Sequence, residues 1–332
     1  MTARRRKNSA ARRAAAFIVL AAATVCLLLF SMKSGSISVS WRELLRGLFV
    51  EYDARVAAIY DLRFPRVLIA VMSGAALSCS GLLLQAALKN PLADPGIIGI
   101  SGGASFAAGV VAAFFPALYF SAPAFAFIGG ALAFLIIYAL SWKGGLDPVR
   151  IILIGVAVSA VFAGLGAVLG GVTSASGVSV TVSGLSQRTW GDVKLLGIYA
   201  AVGLIPAFCL APACNLTALE DRAVRGLGVN ADALRAGVSC VAVALASSAT
   251  AIVGVVGFLA LIAPHIARKI VGNDHRVLTP FSALLGAFIL LLADTVGRLV
   301  IAPNELSAAV VMSVFGGPFF IFLLRRGDKL EH

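Results

Sequence analysis

Long apolar stretches follow one another along almost the whole chain, each closed by charge, proline or clustered glycine. Ten can be marked, near 14–33, 63–88, 97–116, 120–141, 149–171, 193–213, 232–254, 257–271, 279–301 and 306–324. A helix that crosses the hydrocarbon core needs roughly 20 apolar residues. Backbone in lipid must also satisfy its own hydrogen bonds, so runs of this length predict helices. The third and eighth are short or glycine-rich. The segment 40–50 differs: Trp41, Leu44, Leu45, Leu48 and Phe49 recur at helical spacing among Arg42, Glu43 and Arg46. That pattern predicts an amphipathic helix lying in the membrane interface.

Composition agrees. Of 332 residues, 60% are hydrophobic and 13% charged, with a mean hydropathy of +0.99; a soluble domain carries about 25% charged residues. The reading is an all-α polytopic membrane protein of about ten spans, with one transmembrane domain over 14–326. A basic tail, 1–13, precedes it, and a short tail, 327–332, follows. The last three residues, Leu330-Glu331-His332, read as a tag remnant and are set aside. The run from Ala14 to Met32 is long for a signal peptide, so it reads as the first span.

The net charge of +12 raises nucleic acid as a partner, but its placement argues against this. Arg4, Arg5, Arg6, Lys7, Arg12 and Arg13 precede the first run, and most other cations flank later ones. Ten spans put both termini on one side. If that side is the cytoplasm, inside cations outnumber outside ones by about two to one, as orientation in membranes requires. The same topology makes 215–233, the longest polar interruption on its side, a cytoplasmic loop. It begins like a short capped helix and stops at Gly226 or Gly228. The outer stretch 171–192 is rich in Thr, Ser and Gly. Cys26, Cys79, Cys209, Cys214 and Cys240 include no CxxC and read as small packing residues. Glycines within the runs, among them Gly74, Gly81, Gly102, Gly103, Gly164, Gly166 and Gly170, let helices approach closely.

No catalytic pattern is present: no GxxxxGK[ST], no HExxH, no GxSxG. The chain reads as a transport subunit rather than an enzyme. His265 reads as packed and His275 as a solvated loop residue. Asp294, four residues before Arg298, shares a helix face with it and forms a simple ion pair. Arg63 and Arg66 share a face at the outer side, either anchoring headgroups or forming a basic patch that docks an acidic partner. Three classes remain: a permease driven by a separate ATPase, with 215–233 receiving the push; an ion-coupled secondary carrier turning on Asp294; and a membrane scaffold.

Several blocks then decide between them. Leu62-Arg63-Phe64-Pro65-Arg66, Gly74-Ala75-Ala76-Leu77, Leu84-Gln85 and Asn90-Pro91-Leu92-Ala93-Asp94-Pro95-Gly96 come in the first half. Leu227-Gly228-Val229, Pro264-His265-Ile266-Ala267-Arg268, Ala293-Asp294 and Gly317-Pro318-Phe319-Phe320 come in the second. Together, over about 40–326, they resemble the FecCD-type permeases, membrane subunits of ATP-binding-cassette importers for iron-siderophores, haem and cobalamin. The resemblance implies a multi-pass protein of the bacterial inner membrane that works as a dimer of permeases, with a homodimer expected. It further implies two ATPase subunits, which hold the ATP and Mg, and an external substrate-binding protein; this chain would bind no cofactor itself. Arg63, Arg66 and Arg298 match positions that meet acidic residues of the binding protein. Leu219, Glu220, Ala223, Leu227, Gly228 and Val229 fall in the ATPase-coupling loop. The fifth span would line the path, with Trp142 and Gly144 on one side and Val172, Thr173 and Ser174 on the other as gates. Asn90–Gly96 and Pro264–Arg268 are expected to be structural turns. The chain departs from the family at Gly254-Val255-Val256-Gly257-Phe258, where Gly-Pro-Ile is common before Gly-Phe, and at Gly297, where Ala is common.

Overall fold

Each of the ten apolar runs is helical in the computed structural model, which describes residues 3–34, 40, 42–43, 46, 53–141, 148–175, 184–301 and 304–327. Among these residues there are eleven α-helices and no strand. They are α1 (Ala3–Lys33), α2 (Ala54–Ala87), α3 (Ile100–Phe114), α4 (Ala122–Ser141), α5 (Pro148–Ala175) and α6 (Trp190–Cys214). There follow α7 (Asp221–Gly226), α8 (Ala231–Val253), α9 (Leu259–Val271), α10 (His275–Val300) and α11 (Ala308–Gly327). Seven are long and apolar enough to cross a membrane. The third and eighth runs fall short, as expected: α3 has 15 residues and α9 has 13. At 1.5 Å per residue neither spans a core of about 30 Å. Each follows non-helical chain, 88–99 and 254–258, and Asn90, Ala93, Asp94 and Ile98 of the first are buried. Irregular backbone of this kind needs protein cover.

The second helix starts earlier than the pattern indicates, at Ala54 rather than 63. Asp53 caps it, its Oδ1 accepting from the Arg55 amide at 2.8 Å, and that cap satisfies one of the free N–H groups of the first turn. Arg63 and Arg66 therefore stand inside the helix, not at its mouth. The basic tail likewise joins α1 from Ala3 onward. Most of the expected interfacial helix at 40–50 lies outside the described residues.

The bundle is built around α2, which packs most extensively on α10 and also on α8, α6 and α9. Gly74 and Gly286 set the α2–α10 spacing: a Cβ on either would strike the other's carbonyl. Phe17 meets Phe281 edge-on at 4.9 Å, holding α1 against α10. The fifth helix is the exception. It rests chiefly on α3 and α4, leaves Leu153, Val156, Val161, Leu165 and Val168 exposed, and its Gly164, Gly166 and Gly170 face open space. An apolar helix without cover on most sides needs lipid or another subunit around it.

Candidate functional site

At the Lys33 end of the bundle three arginines converge. Arg66 donates from Nε and Nη2 to Asp294 Oδ1 at 3.0 and 2.8 Å, and from Nη1 to Glu305 Oε2 at 2.7 Å. Arg298 is ion-paired to the same Asp294 at 3.3 Å. The expected pair between positions 294 and 298 is present, and Arg66 adds a second clasp. Arg63 Nη1 donates to the carbonyls of Met32 and Lys33 at 3.2 and 3.0 Å. Arg298 Nη2 donates to Ser31 O at 3.1 Å and also bonds Ser31 Oγ. These two side chains thus close the C-terminus of α1, where free carbonyls and the helix dipole favour cations.

This arrangement corrects the expectation of an exposed basic patch. Arg63, Arg66 and Arg298 are 8%, 7% and 8% exposed. Unpaired guanidinium groups are costly to bury, and the carboxylates and α1 carbonyls supply partners that sequence spacing did not show. The one outward member of the group is Glu305, whose side chain is 43% exposed. Its carboxylate also accepts from Ser186 Oγ at 3.3 Å. Partial burial alone pushes the Glu305 carboxyl up, but the hydrogen bond and charge of Arg66, helped by Ser186 and Arg298, hold it below its ordinary value.

The other end carries the 215–233 loop. A 3₁₀ turn, Leu216–Ala218, leads through extended Leu219 and Glu220 into α7. That helix stops as the glycines indicated: Gly228 takes φ 77°, its amide reaches Arg225 O at 3.0 Å, and Val229 N reaches Val224 O at 3.3 Å. This is a Schellman closure, for which glycine avoids the Cβ penalty. Val224 is buried and anchors the helix, while Leu219, Glu220, Ala223, Leu227 and Gly228 are exposed and Val229 is half-buried. The loop is fastened to α2 by Lys89, whose Nζ donates to Leu219 O at 2.7 Å. Nothing in the sequence pattern singled out Lys89 for this contact.

Of the expected gate residues, Trp142 and Gly144 lie outside the described residues. Val172, Thr173 and Ser174 belong to the last turns of α5 rather than to a loop. Val172 and Ser174 are exposed, whereas Thr173 is buried and its hydroxyl donates back to Leu169 O at 2.9 Å. His275, expected to be solvated, is the buried first residue of α10, and His265 packs edge-on against Phe319 at 6.2 Å. At the departure from the family pattern, Gly254 and Phe258 both take positive φ, 76° and 64°.

Of the two expected turns, Asn90–Gly96 is non-helical chain, whereas Pro264–Arg268 lies inside α9, with Pro264 within the helix. Asp94 Oδ1 accepts from the amides of Gly96 and Ile97 at 2.7 and 3.1 Å. Its Oδ2 has no hydrogen-bond partner among the described residues, and the Leu261 amide in the first turn of α9 also favours the ionised carboxyl. Complete burial pushes this carboxyl up to about 6, against the pull of those amides.

A family model described as the FecCD transport family matches residues 23–326. The chain belongs to this family. It is 40% identical over 312 residues to a Staphylococcus aureus (strain MSSA476) protein named as a probable heme-iron transport system permease protein, IsdF; the match covers 92% of this chain and 96% of that protein. The homologue of strain Newman matches to the same extent. Among solved structures, a metal-chelate type ABC transporter in an inward-facing conformation superimposes with a TM-score of 0.77 at 26% identity, over 93% of this chain and 98% of that one. A chain of PsaBC from Streptococcus pneumoniae, in complex with Fab, shares the fold at a TM-score of 0.59 and 16% identity, over 88% of this chain and all of that one. The protein is a multi-pass permease component of the ABC-importer type.

Proposed function

We propose that this permease carries an iron chelate, with haem the first cargo to test, across the bacterial inner membrane toward the cytoplasm. It does so as one of two permease subunits, driven by two ATPase subunits and fed by an external binding protein. The observation that carries this reading is the family match across 23–326, with the heme-iron name of a relative 40% identical over nearly its whole length favouring haem over cobalamin.

The geometry supplies a part for each partner. The exposed face of α7, with Leu219, Glu220, Ala223 and Leu227, is a knob held rigidly by Val224 and the Gly228 closure, suited to a cleft in an ATPase. The uncovered α5, with its open glycines, is suited to a second permease, and the path would run along it past Val172 and Thr173. The binding protein would engage Arg66 through its outward partner: an incoming carboxylate can replace Glu305 at Nη1 without disturbing the Asp294 clasp. No observation favours an ion-coupled carrier, since Asp294 is held by Arg66 and Arg298 together.

Transport assays with labelled haem, a panel of ferric siderophores and cobalamin test the cargo. They require proteoliposomes holding the chain with its ATPase and binding protein. Haem uptake well above the others is the expected outcome; preferential uptake of cobalamin would overturn the iron-chelate assignment.

A further inference from the structure

Pro264 stands inside α9 and brings no amide to the helix ladder, so the carbonyl four residues earlier, Ala260 O, loses its usual donor. Ala260 is buried, and a buried carbonyl without a donor is costly. The donor comes from another helix. Gln85, 3% exposed in the last turn of α2, donates from Nε2 to Ala260 O and to Ala93 O, each at 3.4 Å. Its Oε1 accepts from Arg268 Nη2 at 2.6 Å, and Arg268 lies one turn past Pro264, near the other end of α9. One side chain thus holds both ends of the proline-interrupted helix together with the 88–99 chain. Gly81, one turn before Gln85 on the same face of α2, allows this approach: a Cβ there would strike the Ala260 carbonyl.

The main chain of Gln85 leads the other way, toward the 215–233 loop. Its carbonyl accepts from the Asn90 amide at 3.1 Å, closing α2 over Lys89, which takes φ 50°. Lys89 is the residue whose Nζ holds Leu219 O. The ends of α9 are turns: Phe258 before it and Gly272 after it take φ 64° and 88°. Residues at element ends are where hinge motions are absorbed. A 13-residue helix between two such turns takes its position from the side chains that tie it to its neighbours.

We propose that Gln85 is a positioning residue for transport, keeping α9 in register with the end of α2 that holds the 215–233 loop, so that displacement of that loop reaches α9. The role rests on the coupling reading of the loop given above. It asks more of Gln85 than filling an orphaned carbonyl, and the two demands separate experimentally. Pro264→Ala returns an amide to the α9 ladder and so gives Ala260 O a partner within its own helix, but it does nothing to tie α9 to α2.

The test measures Gln85→Met in the wild-type and the Pro264→Ala backgrounds, with the full chain assembled with its ATPase and binding protein in proteoliposomes. Tm and labelled haem taken up per ATP hydrolysed are the two readouts. Gln85→Met is expected to lower Tm by about 3 °C or more in the wild-type background, and by clearly less in the Pro264→Ala background. Uptake per ATP is expected to fall about tenfold in both backgrounds, as loss of one charge-assisted bond made in only one transport state implies. Equal Tm losses in the two backgrounds overturn the pairing of Gln85 with the carbonyl that Pro264 frees. An unchanged uptake-to-ATP ratio, or a ratio that recovers in step with Tm, overturns the positioning role and leaves Gln85 a structural contact. If Gln85→Met does not assemble, Arg268→Met, which breaks only the 2.6 Å bond, takes its place, and an unchanged ratio again overturns the role. Wild-type protein that shows no ATP-driven uptake refutes the proposed function, and the coupling role with it, whereas the Tm comparison fails or holds on its own.

Discussion

Arg66 and Asp294, 228 positions apart in the chain, form a two-pronged buried ion pair that ties α2 to α10. Asp294 is fully buried between two arginines, so removing it leaves two desolvated guanidinium groups. Asp294→Ala is expected to cost about 3–5 kcal/mol, the usual penalty for orphaning one side of a buried pair. Asp294→Asn, which keeps an acceptor oxygen, should cost less. Denaturant or thermal unfolding in detergent measures both. A loss below about 1 kcal/mol for the alanine variant would show that the pair does not hold these helices together.

Glu305 is the lever on the docking proposal. Arg66→Glu would break the Asp294 clasp, and any loss of docking would then be confounded with misfolding. Glu305→Ala instead frees Arg66 Nη1 while leaving the buried pair intact. If an incoming carboxylate takes that place, Glu305→Ala should tighten binding-protein affinity several-fold, more clearly at low salt, where the Debye length is about 30 Å at 0.01 M. Affinity measured by surface plasmon resonance on the reconstituted permease decides. Unchanged or weaker binding removes Arg66 from the docking site.

Asp94 predicts a pH dependence with a definite sign. Its carboxyl is pushed up to about 6 from an ordinary value of 3.8, so the folded state holds this proton more tightly than the unfolded one. Its contribution to stability is complete below the ordinary value and is lost as pH rises through about 6. Asp94→Asn, which keeps an acceptor for the Gly96 and Ile97 amides, should flatten the dependence of Tm on pH between 4 and 7. An identical slope in wild type and variant would show that the burial of Asp94 does not govern its proton.

Ala223 lies on the exposed face of α7. Ala223→Glu adds bulk and charge where an ATPase cleft is proposed to close, without touching the buried Val224. ATP hydrolysis should continue while uptake per ATP falls at least tenfold. Normal uptake with normal hydrolysis would place the coupling surface elsewhere.

The sequence exposed those features that are local. Lipid demands long unbroken apolar runs, so all ten helices were legible. The Gly226–Gly228 stop and the Asp294–Arg298 spacing were legible for the same reason, since partners within one turn leave a periodic mark. Long-range pairing leaves none. Nothing in the spacing linked Arg66 to Glu305, or Arg63 and Arg298 to the carbonyls of α1, so buried structural arginines read as a surface patch. His275 was misread because a charged flank, Asp274 and Arg276, surrounds a residue whose own side chain turns inward. Gln85 was quoted only within a block of the family resemblance and Lys89 was not singled out, and their contacts emerged only once α2, α9 and the 215–233 loop were seen together.

The central claim is that ATP hydrolysed by a partner subunit drives uptake through this permease. The most direct test is haem uptake into proteoliposomes containing the chain, its ATPase and its binding protein, measured with ATP inside and, separately, with a proton gradient alone. The account predicts uptake that requires both ATP and the binding protein and is absent with the gradient. Uptake driven by the gradient without nucleotide would contradict it.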